Sequence, residues 1–313
     1  MSYPCGNCGK NCCRGCIACE NCKTWFHYKC EKLTITQFEY FSKSSFEYIC
    51  LKCTIGADGK FDYDKSIKRL EHSSNNGTLK GGVEVELIFL RGDSVKPLSA
   101  RLTFFISTSS LLSDDPISKK ILEQSNVNLL SKRPVNVSCD GNCLFNALSM
   151  CFVGSGDGNC IFNALSMFFV CSEDLACEIR VKTCIDLVKN KELYISDSQY
   201  DMISMVSPSY DEACADAACA GKYSSAWTII AAANVSGCPI QSVYPPMNGI
   251  LDKTVAILNR TFQPISAAKT HDYITVMWTR TQLEFSGIWL PNHFVPLMNI
   301  DFPALHAQCL LSP

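Results

Sequence analysis

The chain has 313 residues, 47% hydrophobic and 19% charged, with a net charge of -2; that is room for about two domains and too apolar for a largely disordered protein. The charge balance gives no global pull toward nucleic acid or an anionic membrane, and no stretch reaches the roughly 18 uninterrupted apolar residues of a membrane span. The N-terminus MSYPCGNCGK lacks the apolar run of a signal peptide. A reducing nuclear and/or cytoplasmic setting is therefore expected, with no secretion and no membrane partner.

Ten of the 21 cysteines fall within the first 53 residues. In a reducing compartment, such density points to metal ligands rather than disulfides. The ligand types pair as Cys5-x2-Cys8, Cys19-x2-Cys22, His27-x2-Cys30 and Cys50-x2-Cys53. A two-residue gap lets both ligands of a pair reach one tetrahedral zinc, so four pairs suffice for two ions. Three cysteines remain, Cys12, Cys13 and Cys16, and Cys13-x2-Cys16 also has zinc-binding spacing. So short a head gains most of its folding free energy from the metal.

The ligand order in CENCKTWFHYKC, with His27 fifth and Trp25 two places before it, resembles a PHD finger. The resemblance implies interleaved ligands: Cys5, Cys8, His27 and Cys30 on one zinc; Cys19, Cys22, Cys50 and Cys53 on the other. It places Tyr48 where the family usually has tryptophan. It also implies recognition of a peptide such as a histone tail, with Trp25 as one wall of a methyl-lysine cage. Tyr3 would be a second wall and Glu20 a partner for a basic peptide; the alternative is that Trp25 only packs. Lys10, Arg14, Lys23 and Lys29 are basic, but the head lacks a groove-reading helix, so direct DNA binding is not expected.

We assign residues 1–56 to this head and 57–133 to a linker or spacer. In the spacer, SSNNG and KGG read as turns, Asp64 to His72 as a short helix, and VEVELIFLRG and ARLTFFIS as strands. SDDPISKKILEQSNVNLL reads as a capped helix leading into the next domain.

The segment CDGNCLFNALSMCFVGS at 139–155 is followed at once by GDGNCIFNALSMFFVCS at 156–172, and thirteen of the seventeen aligned positions are identical. In each copy Gly permits a tight turn and Cys lands at the start of an apolar helix. There the helix dipole favours thiolate, and backbone N–H groups face a developing oxyanion. Such a nucleophile needs a base. Of the five histidines, His27 is taken by zinc, His72 lies in the polar spacer and His306 near the C-terminus. His271 sits in a loop before DYITVMW, whereas His293 in WLPNHFVPLM opens an apolar strand that would hold it rigidly; His293 is the expected base.

The series DGNC, ACEIRVKTCIDLVKN, AWTIIAAANVSGCPIQSVYP and NHF resembles ovarian-tumour (OTU) cysteine proteases. The likeness covers 134–302, with a tail at 303–313. Within it, SSAWTIIAAANVSGCPIQSVYPPMNG and FSGIWLPNHFVPLM look closest to vertnin-like proteins. The resemblance implies an α/β (α+β) domain that hydrolyses conjugates of ubiquitin or a ubiquitin-like protein. Cys160 would attack, His293 would act as base, and Asp157 would shape the oxyanion hole, with Cys143 and Asp140 as the alternative copy. The second copy is preferred because a surplus helix is displaced more cheaply at the domain entrance than between packed helices. The duplication also reads as tandem copying that damaged the site. The family usually has Asp or Asn two places after the histidine, and Val295 stands there; Asn292 is the nearest polar neighbour. Two function classes follow: a cysteine-dependent deubiquitinase with a zinc-binding head, or an inactive OTU-like scaffold joined to a peptide-binding regulator.

Overall fold

The computed structural model describes residues 2–90, 112–125, 127, 129, 131–138, 159–246, 255–265, 273–281, 291 and 293–299. The chain divides into two compact units, Met1–Val95 and Lys96–Pro313.

The first unit opens with an antiparallel pair, β1 (Cys16–Ala18) and β2 (Trp25–His27). Helix α1 (Ile35–Lys43) follows, started by a capping box in which Thr34 and Gln37 satisfy each other's backbone N–H. Two more helices complete the unit: α2 (Tyr63–Asn75), capped by Asp62, and α3 (Leu79–Leu90). The α2 range contains the helix expected over 64–72.

Residues 83–90 of the expected strand VEVELIFLRG are instead helical, within α3. The Val-Glu-Val-Glu alternation is real but short. At helical spacing Val85, Ile88 and Phe89 come to one face and join Phe26, Leu33, Phe41 and Tyr48 around buried Cys5, Cys19 and Cys50. The two glycines of KGG, read as a turn, lie in α3 itself. A Cβ at Gly82 would stand 2.4 Å from Ser73 Oγ, and one at Gly81 would meet the Phe46 ring at 2.6 Å. Small residues here let α3 approach its neighbours closely. Buried Glu86 accepts from Ser66 at 2.5 Å and from Arg69 Nε at 2.6 Å, fastening α2 to α3. The zinc-type head and these helices thus share one core. The second expected strand, ARLTFFIS, lies outside the described residues.

The second unit begins with α4 (Pro116–Ser125), where Asp115 Oδ1 accepts from the Ser118 N–H at 2.6 Å. This is the capped helix expected from SDDPISKK. Next come β3 (Lys132–Pro134), α5 (Cys160–Val170), α6 (Ala176–Lys189), α7 (Lys191–Ser196), α8 (Tyr210–Ala218) and α9 (Ala226–Ser236). Then follow β4 (Ile240–Val243), β5 (Arg260–Phe262), β6 (Ile274–Thr279) and β7 (His293–Asn299). The strands form one sheet in the order β3-β7-β6-β4-β5, with β4 and β6 parallel and the other pairs antiparallel. Mixed helix and sheet was the expected class for this part of the chain.

Helix α5 packs on β7 and against α6, and α6 packs against α8 and α9. Arg180 on α6, only 1% exposed, ties this layer together. Its guanidinium donates to the carbonyls of Asp216, Ala217 and Cys219 at the end of α8, and lies 4.7 Å from the centre of the Phe162 ring on α5. A cation at a helix C-terminus is well placed against the dipole. Arg180→Ala is expected to cost about 3 kcal/mol by orphaning those carbonyls and opening a cavity. A urea midpoint for the C-terminal unit within a few tenths of a molar of wild type would contradict this.

Candidate metal centres and candidate active site

Two zinc-knuckle turns organise the head. In the first, Gly9 N–H bonds back to the Cys5 carbonyl at 2.8 Å; in the second, Lys23 N–H does the same to Cys19 at 2.8 Å. The residue closing each turn is left-handed, Gly9 at φ +70° and Lys23 at φ +57°. Each turn aims two sulfurs into one space. Cys5, Cys8, His27 and Cys30 offer ligand atoms within 4.8 Å of one another, and so do Cys19, Cys22, Cys50 and Cys53. This is the interleaved grouping that the resemblance to a PHD finger implied.

The donor sets fit zinc: three sulfurs and an imidazole in one, four sulfurs in the other. Backbone N–H groups also point at the sulfurs, from His27 to Cys5 at 3.5 Å and from Cys50 to Cys19 at 3.2 Å. Burial pushes the Cys5 thiol up, yet hydrogen bonds from the backbone of His27, Asn7 and Cys8 bring it down to about 6. Cys30, pushed by burial and by the neighbouring sulfurs of Cys8 and Cys5, goes up to about 11. Thiolates crowded in this way are relieved by a divalent cation.

Glu31 links both clusters and was missed in the sequence because it reads as an ordinary surface acid. It is 3% exposed. Its carboxylate accepts from Asn7 Nδ2 at 2.7 Å, from the Leu51 N–H at 2.9 Å and from the Tyr48 hydroxyl. Tyr48 therefore keeps the aromatic's packing role and adds a hydrogen bond. Tyr3 and Trp25 stand with ring centroids 5.3 Å apart at 40°. Glu20 is ion-paired with Lys23 at 2.5 Å.

In the C-terminal unit, Cys160 is the first residue of α5 and is 2% exposed. Asp157, Cys143 and Asp140, and Asn292 as well, lie outside the described residues. His293 is the first residue of β7 and is 3% exposed. Helix α5 packs on β7, and the segment after β3 runs between them. The chain leaves β3 at Pro134, opposite Leu297, and runs toward the His293 end of β7. The carbonyl of Ser138 then accepts from Asn163 Nδ2 in the first turn of α5 at 3.3 Å.

Among the described residues, His293 Nδ1 has no hydrogen-bond partner. Burial pushes the imidazole down to about 4, while the charge of Asp115 pulls it upward. Val295, where an orienting polar group was sought, is fully buried among Ile121, Met167, Val243 and Leu297. Thr279 is the cross-strand partner of His293, so both side chains share a face. Ser118 Oγ bonds Thr279 Oγ1 at 2.8 Å, and the Ser118 backbone N–H donates to Asp115 Oδ1. The sequence signal for Asp115 was only that of a helix cap.

The family model for the OTU domain of vertnin matches two overlapping stretches, residues 152–218 and 203–279. The C-terminal unit is thus OTU-like. The match takes in the second copy of the doubled turn, with Cys160, and ends before β7 and His293. No curated protein matches the chain.

Proposed function

We propose that the C-terminal unit is a cysteine-dependent hydrolase of ubiquitin or ubiquitin-like conjugates. In this reading the N-terminal unit holds two zinc ions in a PHD-type finger and delivers the enzyme to a peptide such as a histone tail. The observation that carries the reading is His293: a buried imidazole whose Nδ1 has no partner among the described residues, at the start of the strand on which the cysteine-headed helix packs. A purely structural histidine would be expected to satisfy that nitrogen.

The sulfur of Cys160 would attack the isopeptide carbonyl, with backbone N–H groups at the start of α5 receiving the oxyanion. His293 would take the thiol proton and return it to the departing lysine amine. Asp115, acting across Ser118 and Thr279, would replace the residue usually found at position 295 as the charge that supports the ring. Asp157 keeps the oxyanion-shaping role implied by the resemblance. In the head, Trp25 and Tyr3 would flank a methylated lysine, and Glu20 would attract the basic peptide once released from Lys23. Such work belongs in the nucleus and/or cytoplasm.

A second reading, an inactive scaffold joined to a peptide-binding regulator, draws on the near-complete burial of both Cys160 and His293 and on Val295. Ubiquitin carrying a cysteine-reactive C-terminal warhead separates the two. The hydrolase labels covalently through Cys160; folded, zinc-loaded protein that never labels is the scaffold.

A further inference from the structure

Three head cysteines, Cys12, Cys13 and Cys16, lie outside the two four-ligand sets, and the fold treats them differently. A bridge between Pro4 and Asn11 doubles the chain back, and Cys12 N–H bonds the Tyr3 carbonyl at 2.8 Å. The Cys12 backbone is thereby fixed next to the Tyr3–Cys5 segment. The β1–β2 register sets Cys16 directly opposite His27, so that their side chains share a face. As a result Cys12, Cys16 and His27 offer ligand atoms that all lie within 4.8 Å of one another. Cys13 is exposed, and its sulfur accepts from Asn11 Nδ2 at 3.3 Å. The Cys13–Cys16 spacing noted in the sequence is thus not the pair the fold assembles.

We propose that Cys12 and Cys16 are exchange ligands for the ion at His27, which Cys5 and His27 hold together with either Cys8 and Cys30 or Cys12 and Cys16. Zinc imposes no geometric preference of its own through its filled d shell, so thiolates replace one another at it without a ligand-field cost. Cys8 is exposed, which makes it the ligand open to chemical loss. The second cluster has no such reserve among the described residues, because Cys12 and Cys16 gather at His27 and Cys13 pairs with Asn11. The first ion should therefore survive loss of Cys8, whereas the second should not survive loss of Cys22.

This inference rests on zinc occupying both clusters, and full-length protein tests the two claims separately. Metal content by elemental mass spectrometry should give two zinc ions for wild type and for Cys8→Ser, and one for Cys22→Ser. The triple variant Cys8→Ser, Cys12→Ser, Cys16→Ser should also hold one. Alkylation with iodoacetamide, mapped by peptide mass spectrometry, should modify Cys12, Cys13 and Cys16 of wild type. In Cys8→Ser, Cys12 and Cys16 should react roughly ten-fold more slowly as they become ligands, and Cys13 should not change. Should Cys8→Ser fail to fold, Cys30→Ser gives the same readout. A drop to one ion in Cys8→Ser, or undiminished alkylation of Cys12 and Cys16, overturns the exchange; three ions in wild type overturns it too, in favour of a separate site. Fewer than two ions in wild type removes the zinc reading on which it stands.

Discussion

Chelation of zinc under reducing conditions is expected to unfold the cysteine-rich half of the N-terminal unit and leave the C-terminal unit folded. Structural zinc contributes on the order of 10–16 kcal/mol to folding in small fingers, more than a domain's usual net stability of about 5–15 kcal/mol. Here the sulfurs of Cys5, Cys19 and Cys50 are themselves part of the buried core with Phe26, Phe41 and Phe89. Without the cation, these thiols crowd one another; Cys50 is pushed upward by burial, and the neighbouring sulfurs of Cys53 and Cys19 add to that push. Glu31 would lose its role as well, since it fastens Asn7 beside the first cluster to Leu51 beside the second. Limited proteolysis should then cut between residues 5 and 53, with sites in 176–236 still protected. Persistent protection of residues 5–53 after complete metal removal would show that α1, α2 and α3 hold the head without zinc.

The second large effect concerns the doubled turn. Cys160→Ala should abolish labelling by the ubiquitin probe and Cys143→Ala should leave it intact; the opposite result would assign the chemistry to the first copy. Asp115→Asn tests the charge beside His293, because Asn retains the capping of α4 while removing the carboxylate. The imidazole, already held down to about 4 by burial, should fall further. The acid limb of labelling should then move to lower pH and the plateau rate should drop about ten-fold or more, as expected for weakened general-base support. An unchanged profile would leave Asp115 as a cap and nothing else.

The same histidine links protonation to stability, and the sign is fixed by the direction of its shift. Its folded value lies below the ordinary 6.5, so the unfolded chain binds the extra proton between those limits. Stability of the C-terminal unit is full above about pH 6.5 and declines as pH falls toward 4, by about 3 kcal/mol in all. His293→Gln should flatten that part of a plot of urea midpoint against pH.

Much of the head was legible because zinc ligation is local chemistry. A two-residue gap makes a knuckle whatever surrounds it, so the eight candidate ligands could be read directly. Cys160 at a helix start and His293 at a strand start were legible for a related reason: each is defined by its own segment's pattern. The role of VEVELIFL was not, because four alternating residues suit a strand and a helix face equally. The choice was made by Phe41 and Tyr48 on one side and Ser73 on the other, surfaces that exist only once the head has folded. Cys12 was separated from Cys13 by the bridge between Pro4 and Asn11, and Glu31 became a clamp only when Asn7, Tyr48 and Leu51 converged on it. Asp115 lies far from His293 in the chain yet its charge acts on the imidazole, while Val295 became core because its face of β7 is covered by α4 and α5. Ligand spacing and element starts are written in the sequence, since they depend on a few adjacent residues; which side chains become neighbours was decided by the tertiary structure, since it depends on surfaces that distant segments supply.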